Sequence, residues 1–157
     1  MSVQNPPPGY HSVTPYLTVD DGAGAIEFYK KAFGATEVMR LPMGGKIGHA
    51  EIQIGDSHVM LSDEWPEMGA LGPKSRGGPT SSLVVYVPDV DAAFDRATGA
   101  GCEVMSAVQN QFWGDRMGTV TDPFGHKWSL ATHVEDVSPE EMGKRMKEFS
   151  AQHEQAG

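Results

Sequence analysis

Apolar and polar positions follow two periods along this chain, and the order in which the periods alternate is the first guide to its fold. Residues 13–19 (Val13-Thr14-Pro15-Tyr16-Leu17-Thr18-Val19) alternate and are rich in β-branched and aromatic side chains, which predicts a strand with Pro15 at an edge or end. After Asp20-Asp21-Gly22, the apolar residues Ala25, Ile26, Tyr29, Ala32 and Phe33 recur at helical spacing over residues 23–33, and Gly34 is a natural stop. Short strands are predicted at 37–41, 47–54 and 58–62, separated by Gly-rich or Gly-Asp turns. This half reads βαβββ.

The stretch from Asp63 to Thr80 is too broken by Gly and Pro for a regular element, and reads as a linker or as a flap over a site. Then the order repeats: a strand at 82–87, a Pro88-Asp89 turn, a helix at 90–98, and strands near 102–106, 116–121 and 128–132. Side chains repeat as well. Val19 to Ile26 lies against Val87 to Phe94, and Glu37-Val38-Met39 reappears as Glu103-Val104-Met105. A repeat of this length suits a duplicated module rather than a solenoid unit. Two such modules leave a sheltered concave side where a small ligand fits. The predicted fold is α+β: two βαβββ modules forming a curved mixed sheet around a central cavity, plus a C-terminal helix. The predicted organisation is a flexible N-terminus at 1–12, the first module at 13–66, a Gly/Pro-rich linker or flap at 67–80, the second module at 81–133, and a C-terminal helix and tail at 134–157. Ser138-Pro139-Glu140-Glu141 supplies the start of that helix, an N-cap followed by Pro and a capping-box Glu. Its sparse apolar residues Met142, Met146 and Phe149 are expected to pack on the domain or on a second subunit.

Charge narrows the partners. The net charge of −9 over 157 residues comes with scattered Lys and Arg, so no basic stripe exists for a phosphate backbone and nucleic acid is not an expected partner. No stretch approaches the ~20 apolar residues that span a bilayer, and the N-terminus lacks the basic start and apolar run of a secretory signal. A cytoplasmic location with no membrane association is the expectation. Cys102, the single cysteine, sits in a helix-to-strand link with no His beside it and reads as structural.

Several segments together resemble a known family: Pro15 to Val19, Ala25 to Ala35, His49-Ala50-Glu51, Leu61 to Glu64, Gln111 to Arg116, Asp122 to Trp128 and Ala131 to Val137. The chain is similar to the PhnB-like branch of the vicinal-oxygen-chelate (glyoxalase/bleomycin-resistance/dioxygenase) superfamily, over roughly residues 13–145. The resemblance implies paired βαβββ modules and a homodimer. Family members include metal-dependent lyases, isomerases and dioxygenases, fosfomycin-modifying enzymes, and metal-free proteins that sequester antibiotics. Some PhnB-like sequences carry a methyltransferase label. Here no glycine-rich nucleotide loop follows a strand, and no second domain is large enough to hold a methyl donor.

The resemblance also places four metal-ligand points, which land on Thr14, Met60, Ser82 and Ser129. None is a carboxylate or an imidazole, so a hard or borderline divalent ion is not expected there. His49 and Glu51, two apart on a strand, point to the same side. They can supply two metal ligands, or a base and its orienting carboxylate, with His58 beside them; the plainer reading is a polar pair at a surface. Trp113 and Arg116 can stack on a flat ligand and grip an anion, or anchor their own loop through Asp115. Tyr16 and Tyr86 are expected at matching positions on the first strands of the modules, facing one cavity. His126 reads as a structural turn residue, and Ser62-Asp63-Glu64-Trp65 as a rim. The favoured function is metal-independent binding of a small aromatic or anionic molecule in a dimeric pocket lined by Thr14, Tyr16, Met60, Tyr86, Trp113, Arg116 and Ser129, a resistance or carrier role needing no cofactor. The alternative is a lyase, isomerase or dioxygenase using His49 and Glu51 with a divalent metal or as an acid/base pair.

Overall fold

The computed structural model describes residues 2–156. Strand β1 (Tyr16–Val19) leads into helix α1 (Gly22–Phe33), followed by β2 (Thr36–Met43), β3 (Lys46–Ile54) and β4 (Ser57–Asp63). A 3-10 turn (Pro66–Met68) and the one-turn helix α2 (Pro73–Arg76) come next, then β5 (Ser82–Tyr86), α3 (Val90–Ala100), β6 (Glu103–Asn110), β7 (Asp115–Thr121), β8 (Lys127–His133) and α4 (Pro139–Glu154). The strands form two four-stranded mixed sheets of identical topology, β1-β4-β3-β2 and β5-β8-β7-β6. In each, the first strand runs parallel to the last and the other pairs are antiparallel. This is the α+β architecture expected from the duplicated pattern.

Boundaries differ where local chemistry acts. Residues 13–15 precede β1 rather than belong to it, because Pro15 has no N–H to give the ladder, although its carbonyl still accepts from Met60 N at 2.9 Å. The segment expected to be irregular contains two short helical turns. Each opens with a Pro and closes on a glycine with positive φ, Gly69 at 75° and Gly77 at 88°. The long helices are capped as their sequences specify: Asp21 and Asp89 each accept from the backbone N–H three residues on, and Ser138 accepts from Glu141 N.

One apolar core runs beneath both sheets. Leu17, Val19, Ile52 and Leu61 contribute from the first module, and Phe94, Val120, Trp128 and Leu130 from the second. The helices α1 and α3 lie side by side, and Arg96 of α3 donates to the carbonyls of Lys30 and Lys31 at the end of α1. At the centre of the joint is the buried carboxylate of Asp122, in the β7–β8 turn. It accepts from Tyr29 Oη of α1 at 2.6 Å, from Trp128 Nε1 at 2.8 Å, and from the backbone N–H groups of Phe124 and His126 at 2.9 Å each. The His126 ring, read in the sequence as structural, donates from Nε2 to the Thr18 carbonyl at 2.8 Å, tying the same turn to β1.

Removing Asp122 strands a buried phenol, an indole and two backbone donors together. Asp122→Ala is therefore expected to lower unfolding free energy by about 3 to 5 kcal/mol, and Asp122→Asn by less, in urea titrations followed by circular dichroism. A loss below about 1 kcal/mol for the alanine variant would show that the modules are not held through this turn.

Candidate functional site

Strand alternation decides which side chains are available for chemistry. In the first sheet, Leu17, Val19, Ala50, Ile52, Val59 and Leu61 face the core. Tyr16, Met60, Glu51 and Met39 form a row across the opposite face, with His49 beside them. There the sequence-selected pair becomes part of a chain of four. Tyr16 Oη lies 2.9 Å from His49 Nδ1, His49 Nε2 lies 3.0 Å from Glu51 Oε1, and Tyr10 Oη donates to Glu51 Oε2. Tyr10 stacks on His58 with ring centroids 4.1 Å apart, and His58 donates from Nδ1 to the Gly9 carbonyl at 2.8 Å. Residues 9–10, expected within a flexible lead-in, are thus tied to the sheet, and Tyr10 was not legible as a site residue for that reason.

The second sheet carries a different cluster. Asp115, 4% exposed, accepts from Tyr86 Oη at 2.9 Å, Trp113 Nε1 at 3.1 Å and His133 Nδ1 at 2.8 Å. His133 Nε2 also reaches Asp136 at 2.7 Å. Burial pushes the Asp115 carboxyl upward, but the bonds from His133, Tyr86 and Trp113 outweigh it and hold it below the usual carboxylate range. The Asp115 bond, assisted by burial, pushes the Tyr86 phenol up. The bonds to Asp136 and Asp115 raise His133. Gly114 fixes the adjoining loop as a rigid turn: at φ 103° its carbonyl accepts from Val134 and Glu135, and a Cβ there would meet the Glu135 carbonyl at 2.1 Å.

Two sequence-based placements need correction. Arg116 does not reach into a cavity: as the even-numbered neighbour of Asp115 it points to the helix side, where Nε and Nη2 grip Asp91 of α3 at 2.8 Å each. Nor do Tyr16 and Tyr86 match. Tyr16 pairs with Met60 and Tyr86 with Ala131, whereas Val84 pairs with Ser129; with Val19 opposite Asp63 and Val87 following Tyr86, Tyr16 corresponds to Val84. Alternation along β7 was a signal in the sequence that separates Asp115 from Arg116.

A cleft of about 640 Å³ lies between β5, the β3–β4 turn and the segment before β1. Thr14, Ser82 and Tyr86 line it, together with Val13, His58 and Val84. Tyr16 lines a separate crevice of about 230 Å³ formed with the segment between the modules. The remaining selected residues are elsewhere: Met60 in the Tyr16 row, Trp113 on Asp115, and Ser129 hydroxyl-bonded to Thr119 at 2.9 Å. Burial pushes the Cys102 thiol up to about 12, with the nearby Asp122 charge adding to it, which leaves it a protonated core residue at neutral pH.

The glyoxalase/bleomycin resistance protein/dioxygenase superfamily model matches residues 9–130. The chain belongs to this superfamily. A Mycobacterium bovis protein described as uncharacterised is 45% identical over 139 residues, spanning 86% of this chain and 91% of its own. Protein YjdN of Escherichia coli is 27% identical over 143 residues, spanning 75% of this chain and 92% of its own. Among solved structures, TioX from Micromonospora sp. ML1 superposes with a TM-score of 0.61 at 27% identity, covering 79% of this chain and 99% of TioX. A PhnB protein from Bacillus cereus does so at 0.58 and 18% identity, over 78% and 99%, a likeness of fold alone. No helix among the described residues is long and apolar enough to cross a membrane.

The superfamily's divalent metal does not fit the residues at its usual points. Thr14 Oγ1 is engaged with the His11 carbonyl, Ser129 with Thr119, and Met60 offers only a thioether. Among the described residues no three His, Cys, Asp or Glu side chains gather as a metal-binding group, and His49 and Glu51 supply two donors already bonded to tyrosines.

The raised His133 pKa means that its contribution to stability is present below the ordinary imidazole range and lost as pH rises through the raised value. In ring-resonance NMR titrations the His133 midpoint should lie above that of an unpaired imidazole, and Asp136→Asn and Asp115→Asn should each lower it. An unshifted midpoint in the unmodified protein would count against the Asp115 cluster as described.

Proposed function

We propose that this protein binds a small planar aromatic molecule, neutral or cationic, in the 640 Å³ cleft and without a metal ion. The observation that carries the reading is the cleft itself. Its volume lies within the range of small-molecule sites, its walls include Val13, Pro15, Leu83 and Val84, and among its polar groups, which include the hydroxyls of Thr14 and Ser82, are His58, Asp56 and the Tyr86 phenol. Tyr86 is 62% exposed and its hydroxyl proton is committed to Asp115, so a ligand meets the ring and an acceptor oxygen.

Charge selects among ligands. The anionic class loses its expected partner because Arg116 is paired with Asp91, and a net charge of −9 with Asp56 at the cleft disfavours an anion further. The same reading includes a homodimer. Leu41, Met43, Val104 and Met105 stand about half exposed on β2 and β6, the outer strands of the two sheets, and a second copy would remove them from water.

Titration of intrinsic tryptophan fluorescence with a panel of neutral and cationic bicyclic aromatics should give saturable binding that chelator leaves unchanged. Val84→Lys, which puts a cation on the apolar wall, should weaken it at least tenfold. Hits that bind the variant equally, or only after metal addition, would refute the assignment. Sedimentation equilibrium should return twice the 16.9 kDa chain mass; a monomer at micromolar concentration would refute the dimer.

A further inference from the structure

The Tyr10–Glu51–His49–Tyr16 chain has no part in the cleft: none of Tyr16, His49 and Glu51 lines it. Its hydrogen bonds run in a determined direction. Glu51 receives the Tyr10 hydroxyl on one oxygen and faces His49 Nε2 with the other. A carboxylate oxygen accepts, so Nε2 carries a proton; in the neutral ring Nδ1 is then the free lone pair, and Tyr16 Oη, 2.9 Å away, donates to it. The order is hydroxyl, imidazole and orienting carboxylate, which is how a weak nucleophile is made reactive by a neighbouring base.

The fold does not require it. The corresponding places in the second module are held by Val84, Met117 and Thr119, because Val84 pairs with Ser129, and Ser129 and Ala131 pair with Thr119 and Met117. That module builds the same four-stranded sheet with neither imidazole nor carboxylate at those positions. The tyrosine of the second cluster, Tyr86, is backed instead by Asp115, a carboxylate holding three donors, and its phenol is driven toward the protonated form. Tyr16 alone of the pair is bonded to an imidazole nitrogen, the side-chain type that serves as a general base. It is 51% exposed, and it lines the 230 Å³ crevice with Thr18, Gly72, Thr80 and Arg76.

We propose that Tyr16 is a base-activated nucleophile, with His49 as its general base and Glu51 as a positioning residue, acting on small activated esters that enter this crevice. The Tyr16 oxygen bonds to the acyl carbon as its proton passes to His49 Nδ1, and Arg76, which lines the same crevice and gives one N–H to the Gly69 carbonyl at 3.1 Å, offers its remaining donors to the tetrahedral oxyanion. Collapse breaks the ester C–O bond, and the leaving alcohol or phenol departs with the proton from His49. Water, deprotonated by the same Nδ1, then cleaves the acyl-tyrosine and restores both residues, so the net reaction is ester hydrolysis with no redox change.

The full chain is treated separately with p-nitrophenyl acetate and with 4-(2-aminoethyl)benzenesulfonyl fluoride, and modified tyrosines are located by peptide mass mapping. Tyr16 should react at least tenfold faster than Tyr86. His49→Gln keeps an acceptor for the hydroxyl but no base; it should cut the Tyr16 rate at least tenfold with the melting temperature unchanged. Glu51→Gln should behave similarly and Glu51→Asp should recover part of the rate, which a purely structural carboxylate would not produce. Tyr16 reacting no faster than Tyr86 in the unmodified protein overturns the proposal without any variant. So does an equal Tyr16 rate in folded His49→Gln, or unchanged p-nitrophenolate release from Tyr16→Phe.

Discussion

Everything in this molecule is arranged around one carboxylate. Asp122 collects four donors from three pieces of chain: its own turn, β8 through Trp128, and α1 of the other module through Tyr29. Such a group is costly to bury and costly to strand, so the geometry that satisfies it is narrowly defined. With α1 fastened to the β7–β8 turn and lying against α3, the core-facing sides of both sheets are covered, apart from a cleft of about 350 Å³ lined by Phe33, Val85, Val87 and Ala93. Polar chemistry is left only on the opposite faces and along the seam between modules, and those are the places where the Tyr16 chain, the Asp115 cluster and the large cleft occur.

Duplication supplied the scaffold twice, and the two copies have been fitted out differently. The first backbone N–H of α1 is received by Asp63 at 2.8 Å, whereas that of α3 is received by the Thr132 hydroxyl at 2.9 Å, from corresponding places at the ends of β4 and β8. A charged cap and a neutral one do the same structural work. The polar rows on the outer faces differ more, because a row that is not buried is free to vary without loss of the fold. Arg116 illustrates the opposite case: a guanidinium engaged bidentately by Asp91 is a strut between strand and helix, and is not available to a ligand.

The elements were legible because their information is local. Period, caps and glycine stops lie within a few residues of one another, and each module could be checked against its repeat. Orientation on a strand was legible in principle: alternation placed His49 with Glu51 correctly, and applied to 115–116 it would have turned Arg116 toward α3. The mismatch of Tyr16 and Tyr86 came from aligning residue types where only pairing register decides equivalence. Tyr10 and the Asp115–His133 bond were beyond reach of the sequence, since both depend on contacts between segments 18 or more positions apart. Asp122 opens the segment Asp122-Pro123-Phe124-Gly125, and nothing local announces the Tyr29 hydroxyl 93 positions upstream.

The outer strands carry a final consequence. Both β2 and β6 are interrupted by register shifts, between Glu37 and Met39 and between Leu41 and Pro42 in one, and on both sides of Ser106 in the other. A kinked strand with misaligned carbonyls cannot template a further strand from a neighbouring molecule, and Pro42 removes a donor outright. The chain can therefore present methionine, leucine and valine side chains along these two margins for contact through their bulk while the backbone of β2 and β6 resists pairing with a neighbour's strand.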